Sequence, residues 1–101
     1  MITAEVSVVP VGTGSTSISS YVAAAVKAMG KHARVIPLAM GTQLEAEEWR
    51  ELQGALKAAR DAVVKAGARR VVMTLVVDER LDKKRGLAGK LASLKRKLRA
   101  L

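Results

Sequence analysis

The chain has 101 residues, half of them hydrophobic, and no Pro-rich, Gly/Ser-rich or low-complexity stretch divides it. This length and composition predict a single domain over residues 1–101 with one core. The lack of Cys and the single His32 exclude a disulfide framework, a thiolate metal site and a histidine cluster for zinc.

The net charge of +9 is concentrated in the last part of the chain. Nine of the 18 Lys and Arg residues lie in residues 80–101, together with a single acid, Asp82. The remainder is nearly neutral, so the charge does not indicate a basic surface over the whole domain. No basic leader precedes an apolar run, and no stretch approaches the roughly 20 apolar residues that span a bilayer. We expect a cytoplasmic protein without a membrane partner.

The first third of the chain predicts a strand, a polar loop and a helix. Residues 2–9 alternate like a half-buried strand, which Pro10 ends. The loop at residues 12–17 has the position of a phosphate-binding loop, but it lacks the Gly-Lys-Ser/Thr ending and the third Gly of nucleotide motifs. A tight turn with Ser or Thr capping the helix is the favoured interpretation, and an anion-binding site is the alternative. The helix ends at Gly30 and has one apolar face, formed by Ile18, Val22, Ala25, Val26 and Met29.

The middle of the chain predicts a hairpin and a long helix. Residues 34–38 contain Pro37, which cannot donate to a β-ladder, so this strand is expected at a sheet edge. Residues 41–46 are its predicted partner. The helix that follows ends at Gly67, and its apolar residues recur every three or four positions: Trp49, Leu52, Leu56, Ala59, Val63 and Ala66.

The final third predicts a strand at residues 69–78 and a basic amphipathic helix at residues 85–101. Both faces of the strand are largely apolar. The helix carries a leucine stripe, formed by Leu87, Leu91, Leu94, Leu98 and Leu101. Fewer than three heptads are too short for an independent coiled coil, so the stripe is expected to pack on the domain or on another subunit.

The order β-α-β-β-α-β plus a final helix predicts a ferredoxin-like α+β fold, in which the helices cover one face of an antiparallel sheet. Because Val9, Val72 and Val76 are predicted on the other, open face, that face is too apolar to lie wholly in water. A bound planar ligand or a partner sheet would cover it. Alternation also places five polar residues there: Glu5, Ser7, Gln43, Glu45 and Thr74.

No catalytic site is predicted. His32 is expected in a solvated turn, and although Glu5 and Glu45 could pair like glycosidase carboxylates, a domain of this size has no evident substrate cleft. Nucleic-acid binding through the basic helix has little support, because the only aromatic residues, Tyr21 and Trp49, are predicted on helices and offer no stacking platform on the sheet.

Several motifs together resemble the small thiamine-binding protein family over nearly the whole chain. They are ITAEVSVVPVGTG at residues 2–14, Tyr21-Val22, MGTQLE at residues 40–45, GARRVV at residues 67–72, Asp78-Glu79-Arg80 and Lys83-Lys84. The resemblance implies a sheet order of 4-1-3-2, homo-oligomers that are commonly tetramers, and binding of thiamine or its hydroxymethylpyrimidine portion without catalysis. No other cofactor and no metal are expected.

An aminopyrimidine needs an acceptor, a donor and apolar surfaces around its ring. Glu45, Thr42 and Met40 offer these in one hairpin, beside Glu5 and Ser7, and these five residues form the expected ligand site. Thr42 alternates to the opposite face of its strand, so the site requires a bulge near the hairpin turn or a position at the end of the sheet. The alternatives are an assembly module without a ligand and a weak, non-specific nucleic-acid binder.

Overall fold

The computed structural model describes all 101 residues. Its seven elements are β1 (Ile2–Pro10), α1 (Ser19–Met29), β2 (Arg34–Pro37), β3 (Thr42–Ala46), α2 (Trp49–Lys65), β4 (Val71–Glu79) and α3 (Leu87–Ala100). The strands form one antiparallel sheet in the order β2-β3-β1-β4. This order is the predicted 4-1-3-2, so the ferredoxin-like α+β fold with an extra C-terminal helix is confirmed. None of the helices is long and apolar enough to cross a membrane.

The core lies between one face of the sheet and the helices α1 and α2. Alternate residues of β1 are buried there, as are the inward residues of β3. Small side chains on both helices, including Ala25, Ala55 and Ala59, are fully buried and allow the helices to approach each other and the sheet. Each fully buried large aliphatic side chain stabilises the fold by about 1.5–3 kcal/mol. The largest of these side chains belong to Ile2, Val6, Met29, Leu44, Leu52 and Val63.

The predicted Ser or Thr cap on α1 is wrong. Ile18 occupies the N-cap position, and no side chain caps the helix. The polar side chains of the preceding loop bond within the loop instead: the Thr13 hydroxyl donates to the carbonyl of Ser15, and the Ser15 hydroxyl accepts from the N–H of Ser17. Such local bonds compete with helix capping because they use the same donors and acceptors.

The final helix begins on the face of the sheet that α1 and α2 leave open. Leu87 is buried there, and so is Thr3, although alternation places Thr3 on that open face. The rest of the leucine stripe is more than half exposed. The radius of gyration of 15.1 Å exceeds the roughly 13 Å of a compact domain of this length, because α3 projects from the body. The predicted packing of the stripe on the domain therefore holds only for Leu87.

Candidate functional site

The open face brings most of the predicted polar residues together. Glu5 lies opposite Gln43 on β3 and opposite Val76 on β4, while Ser7 lies opposite Thr74. The Gln43 amide donates to the Glu5 carboxylate over 3.4 Å. The Glu5 carboxylate keeps a second oxygen with no partner in the chain, so it remains able to accept a hydrogen bond from a ligand.

Glu45 also lies on this face, but its carboxylate is engaged within the chain. One oxygen accepts the backbone N–H of Leu87 over 2.6 Å, and the other lies 3.7 Å from a guanidinium nitrogen of Arg34. The side chain is only 11% exposed. A carboxylate at the start of a helix satisfies a free N–H group and is stabilised by the helix dipole. Glu45 therefore holds the first turn of α3 on the sheet.

Gly86 makes this contact sterically feasible. A Cβ atom at that position would lie 2.7 Å from the Glu45 oxygen, which is too close for a carbon atom. The absence of a side chain at Gly86 thus allows the carboxylate to reach the helix start.

An apolar cavity of about 160 Å³ opens at the end of the sheet where β2 and β3 are joined. It lies between β1, α1 and the connecting residues 38–41, and 11 of its 14 lining residues are hydrophobic. The cavity exists because β3 begins at Thr42, opposite Val6, whereas β1 continues to Pro10 and pairs only with β4 beyond that point. None of its lining residues carries a charge.

Thr42 provides a buried polar group in this cavity. The side chain is 5% exposed and faces the helices, and its hydroxyl forms no hydrogen bond with the rest of the chain. Every fully enclosed side-chain nitrogen and oxygen of the protein has a hydrogen-bond partner. Because the Thr42 hydroxyl has none, its oxygen must be in contact with the open part of the cavity. An unpaired hydroxyl in an otherwise apolar site favours a ligand that can hydrogen-bond to it.

The predicted site residues are thus divided between two surfaces. Met40 is 92% exposed at the rim of the cavity, and Ser7 also lines it. The Glu5 side chain lies on the open face and packs close to Gly41 at this end of the sheet. A Cβ atom at Gly41 would lie only 3.3 Å from Glu5 Cγ.

The predicted bulge near the hairpin turn is absent, since β1 and β3 pair in regular register from Ile2 opposite Ala46 to Val6 opposite Thr42. The cavity lies at the end of the sheet, where the second alternative placed the site.

Part of the cavity wall was missed from the sequence. Ile18, Val22 and Val26 were predicted on the apolar face of the first helix without a role in a ligand site, yet all three are only half-buried and line the cavity. The signal that could have revealed this was strand length: the short predicted third strand cannot cover the whole of the first. Elsewhere, no group of three or more His, Asp or Glu side chains is placed to hold a metal ion.

Comparison with known proteins identifies the family. The model of a family described as "Thiamine-binding protein" matches residues 4–95. The chain belongs to the thiamine-binding protein family. A UPF0045 protein of Methanothermobacter thermautotrophicus is 54% identical over 99 residues, which cover 97% of this chain and 100% of that protein.

Two solved structures are similar to this chain. Hypothetical protein MJ1052 of Methanocaldococcus jannaschii has a TM-score of 0.84 and 38% identity, covering 93% of this chain and 95% of that one. A Thermotoga maritima protein with a proposed role in thiamine biosynthesis or salvage has a TM-score of 0.75, covering 92% of this chain and 97% of that one. At 17% identity, the second likeness shows the fold alone. The name of the family describes binding of a small molecule and no reaction.

Proposed function

We propose that this protein is a cytoplasmic, non-catalytic binder of thiamine or its hydroxymethylpyrimidine portion, and that the aminopyrimidine ring occupies the cavity at the end of the sheet. The observation that carries the proposal is the unpaired hydroxyl of Thr42, whose side chain is only 5% exposed, in an otherwise apolar cavity. A hydroxyl can donate to a ring nitrogen or accept from an amino group, and the aliphatic walls suit the two faces of a planar ring.

The size and charge of the site fit this ligand. A cavity of about 150 Å³ in another protein holds benzene, so the 160 Å³ here suits one six-membered ring. The cationic thiazolium of thiamine would be costly to bury among uncharged residues and would remain at the mouth. The exposed carboxylate of Glu5, near Gly41 at the same end of the sheet, is a suitable partner for this cation.

Within this proposal the five predicted residues have different roles. Thr42 bonds the ring, Met40 covers the cavity mouth with its mobile thioether, and Ser7 lines the unpaired edge of β1. Glu5 faces the cation. Glu45 acts at a distance, by holding α3 on the sheet.

We further propose that the protein acts as a homo-oligomer, a dimer of dimers. Several apolar residues of the open face are exposed, among them Val72 (46%) and Val76 (65%), and the leucine stripe of α3 beyond Leu87 is exposed as well. A small soluble domain rarely leaves such surfaces in water. Light scattering at micromolar concentration measures the mass directly, and a monomer would reject this part of the proposal.

Isothermal titration with thiamine and with hydroxymethylpyrimidine tests the ligand proposal. Thr42→Val keeps the shape of the side chain and removes the hydroxyl, so both affinities should fall about tenfold, as expected for roughly 1–1.5 kcal/mol from one hydrogen bond. Thr3→Val is the matched control, because Thr3 is equally buried but its hydroxyl donates to the carbonyl of Asp78, away from the cavity. Unchanged affinities in Thr42→Val, or no binding of either compound by the parent, would reject the proposed site.

A further inference from the structure

The leucine stripe of α3 has no partner within the domain beyond its first residue. Leu87 is buried against the sheet, but the leucines that follow it are between 52% and 99% exposed: Leu91, Leu94, Leu98 and Leu101. Their spacing of four, three, four and three residues is that of the apolar seam through which two helices pack side by side. An exposed apolar stripe with this spacing marks an interaction surface.

Lysines border this stripe on both sides. The seam has four flanking positions along α3, and these are occupied by Ala88, Lys90, Lys95 and Lys97. Lys90 donates to the carboxylate of Asp78 on β4, whereas Lys95 and Lys97 form no ion pair within the chain. The helix contains no acidic residue. The charge beside the leucines is therefore exclusively positive.

These lysines disfavour pairing of α3 with a second copy of itself. If two copies of the helix packed parallel through the stripe, Lys90 of one would face Lys95 of the other. If they packed antiparallel, flanking positions of the same kind would meet, so lysine would again face lysine. Charges at these positions decide which helices pair, and like charges exclude a partner. The stripe therefore fits a helix whose flanking residues are acidic.

The narrowness of the stripe also favours a helix as the partner. A helix that lies on a lipid surface buries a broad apolar face, whereas the positions next to these leucines are mostly lysines. A nucleic acid would neutralise the lysines but leave the exposed leucines without contacts. A second helix satisfies both features, because its apolar seam covers the leucines while its flanking acids reach the lysines.

We propose that α3 is a docking helix for an acidic amphipathic helix of another protein, one with aliphatic residues in its seam and Glu or Asp beside it. The carboxylate of Glu45 and the burial of Leu87 fix the first turn of α3 on the sheet. Part of the ordering that a free peptide of this length would require on binding is therefore already present. This inference goes beyond the proposed ligand binding, and the self-association proposed above can use the open face of the sheet alone.

Synthetic peptides of three heptads test the docking with the whole chain. The first peptide has Leu at both seam positions and Glu at the flanking positions, the second has Lys in place of Glu, and the third keeps Glu but has Ser in place of Leu. Fluorescence anisotropy at about 0.15 M salt should show saturable binding of the first peptide at micromolar concentration and at least tenfold weaker binding of the other two. No saturable binding of the first peptide, or equal binding of the first and the third, overturns the proposal.

A charge reversal on the protein locates the contact. Lys95→Glu with Lys97→Glu should weaken binding of the first peptide at least tenfold and strengthen binding of the second. The matched control is Arg96→Glu with Arg99→Glu, which changes the net charge equally and also places one Glu in the last turn of α3, but away from the stripe. Charges on the far side of a helix about 10 Å thick are largely screened at this salt concentration, so the control should change the affinity by less than about threefold. Equal losses in the two double variants would contradict the proposal.

Light scattering separates docking of a partner helix from self-association. Leu94→Ser removes the central leucine of the stripe, which is more than half exposed, and should weaken binding of the first peptide at least tenfold while the mass of the protein stays that of the parent. A smaller mass would show that a second copy of the chain covers the stripe and would reject the docking proposal. Titration of Leu94→Ser with thiamine should match the parent, so the ligand site and the docking helix are tested independently.

Discussion

The carboxylate of Glu45 accepts the backbone N–H of Leu87 over 2.6 Å and so joins the third strand to the first residue of the final helix. Leu87 is the only buried residue of α3. Farther along the helix, Lys90 contacts the sheet through a hydrogen bond to the carboxylate of Asp78. One carboxylate therefore has a large share in fixing where α3 begins.

Glu45→Gln should loosen α3 without removing ligand affinity. The amide oxygen can still accept the hydrogen bond, but the charge that favours a helix N-terminus is lost, and we expect a decrease in unfolding free energy of about 0.5–1 kcal/mol. Hydrogen exchange should accelerate in the first turn of α3. Glu47→Gln, which removes only the exposed ion pair with Lys84, serves as the control and should have little effect. A tenfold loss of thiamine affinity in Glu45→Gln would show that this carboxylate contacts the ligand.

Glu5→Gln should distinguish the two candidate ligands. The variant keeps the side-chain shape and removes the charge that faces the proposed thiazolium, so affinity for thiamine should fall several-fold, by up to about tenfold. Affinity for hydroxymethylpyrimidine, which is uncharged, should change by less than about twofold. Calorimetry at low and high salt checks this, because the thiamine effect should shrink as salt screens the charge. Equal losses for both compounds would indicate that Glu5 contacts the pyrimidine.

Lys90 should control the titration of Asp78. Its ammonium donates to the Asp78 carboxylate and, with its positive charge, lowers the pKa of that carboxyl below the ordinary value. Since the pKa is lowered in the folded state, the stabilisation is present above the ordinary aspartate pKa and is lost as the pH falls through the lowered value. Lys90→Met should raise the Asp78 pKa measured by NMR. Lys57→Met, a control in the same experiment, should raise only the Asp61 pKa, which Lys57 and Arg60 lower.

Nucleic-acid binding should be weak and fully dependent on salt. The exposed basic residues of α3 can neutralise phosphates, but no aromatic side chain lies on the open face to stack with bases. Replacing Lys95, Arg96, Lys97 and Arg99 with Gln should abolish any retention on immobilised DNA at low salt and leave thiamine affinity unchanged. Sequence-selective binding that survives physiological salt would contradict this prediction.

The sequence predicts well which face of a strand each side chain occupies, because side chains alternate between the two faces at every residue. Alternation in β1, β3 and β4 placed Glu5, Ser7, Gln43 and Thr74 on one face and Thr42 on the other, and the structure agrees because regular strands preserve this parity. The regular register excludes the predicted bulge, so of the two predicted alternatives only a site at the end of the sheet can include both Thr42 and the residues of the open face. The roles of these residues in binding stay predictions.

The features that the sequence misses depend on contacts between distant segments. Nothing in the hairpin indicates that Glu45 meets Leu87, which lies 42 residues later in the chain. The cap on α1 failed for a local reason, because Ser15 and Ser17 bond to each other rather than to the helix. The cavity forms because β3 is shorter than the neighbouring β1. The residue pattern of either strand alone does not show this difference in length.

The residues of β1 that follow Val6 have no partner on β3, and this affects how the size of the cavity can vary. Because the cavity lies beside the four residues of β1 beyond Val6 that have no partner on β3, its size depends on the length of the β2–β3 hairpin as well as on the side chains that line it. Lengthening the hairpin would extend β3 alongside Val8 and close the cavity, and shortening it would widen the opening. Hairpin tips tolerate insertions and deletions well. A change in the length of this hairpin would therefore change the size of the ligand that the cavity admits, while the helices and the two long strands, β1 and β4, remain as they are.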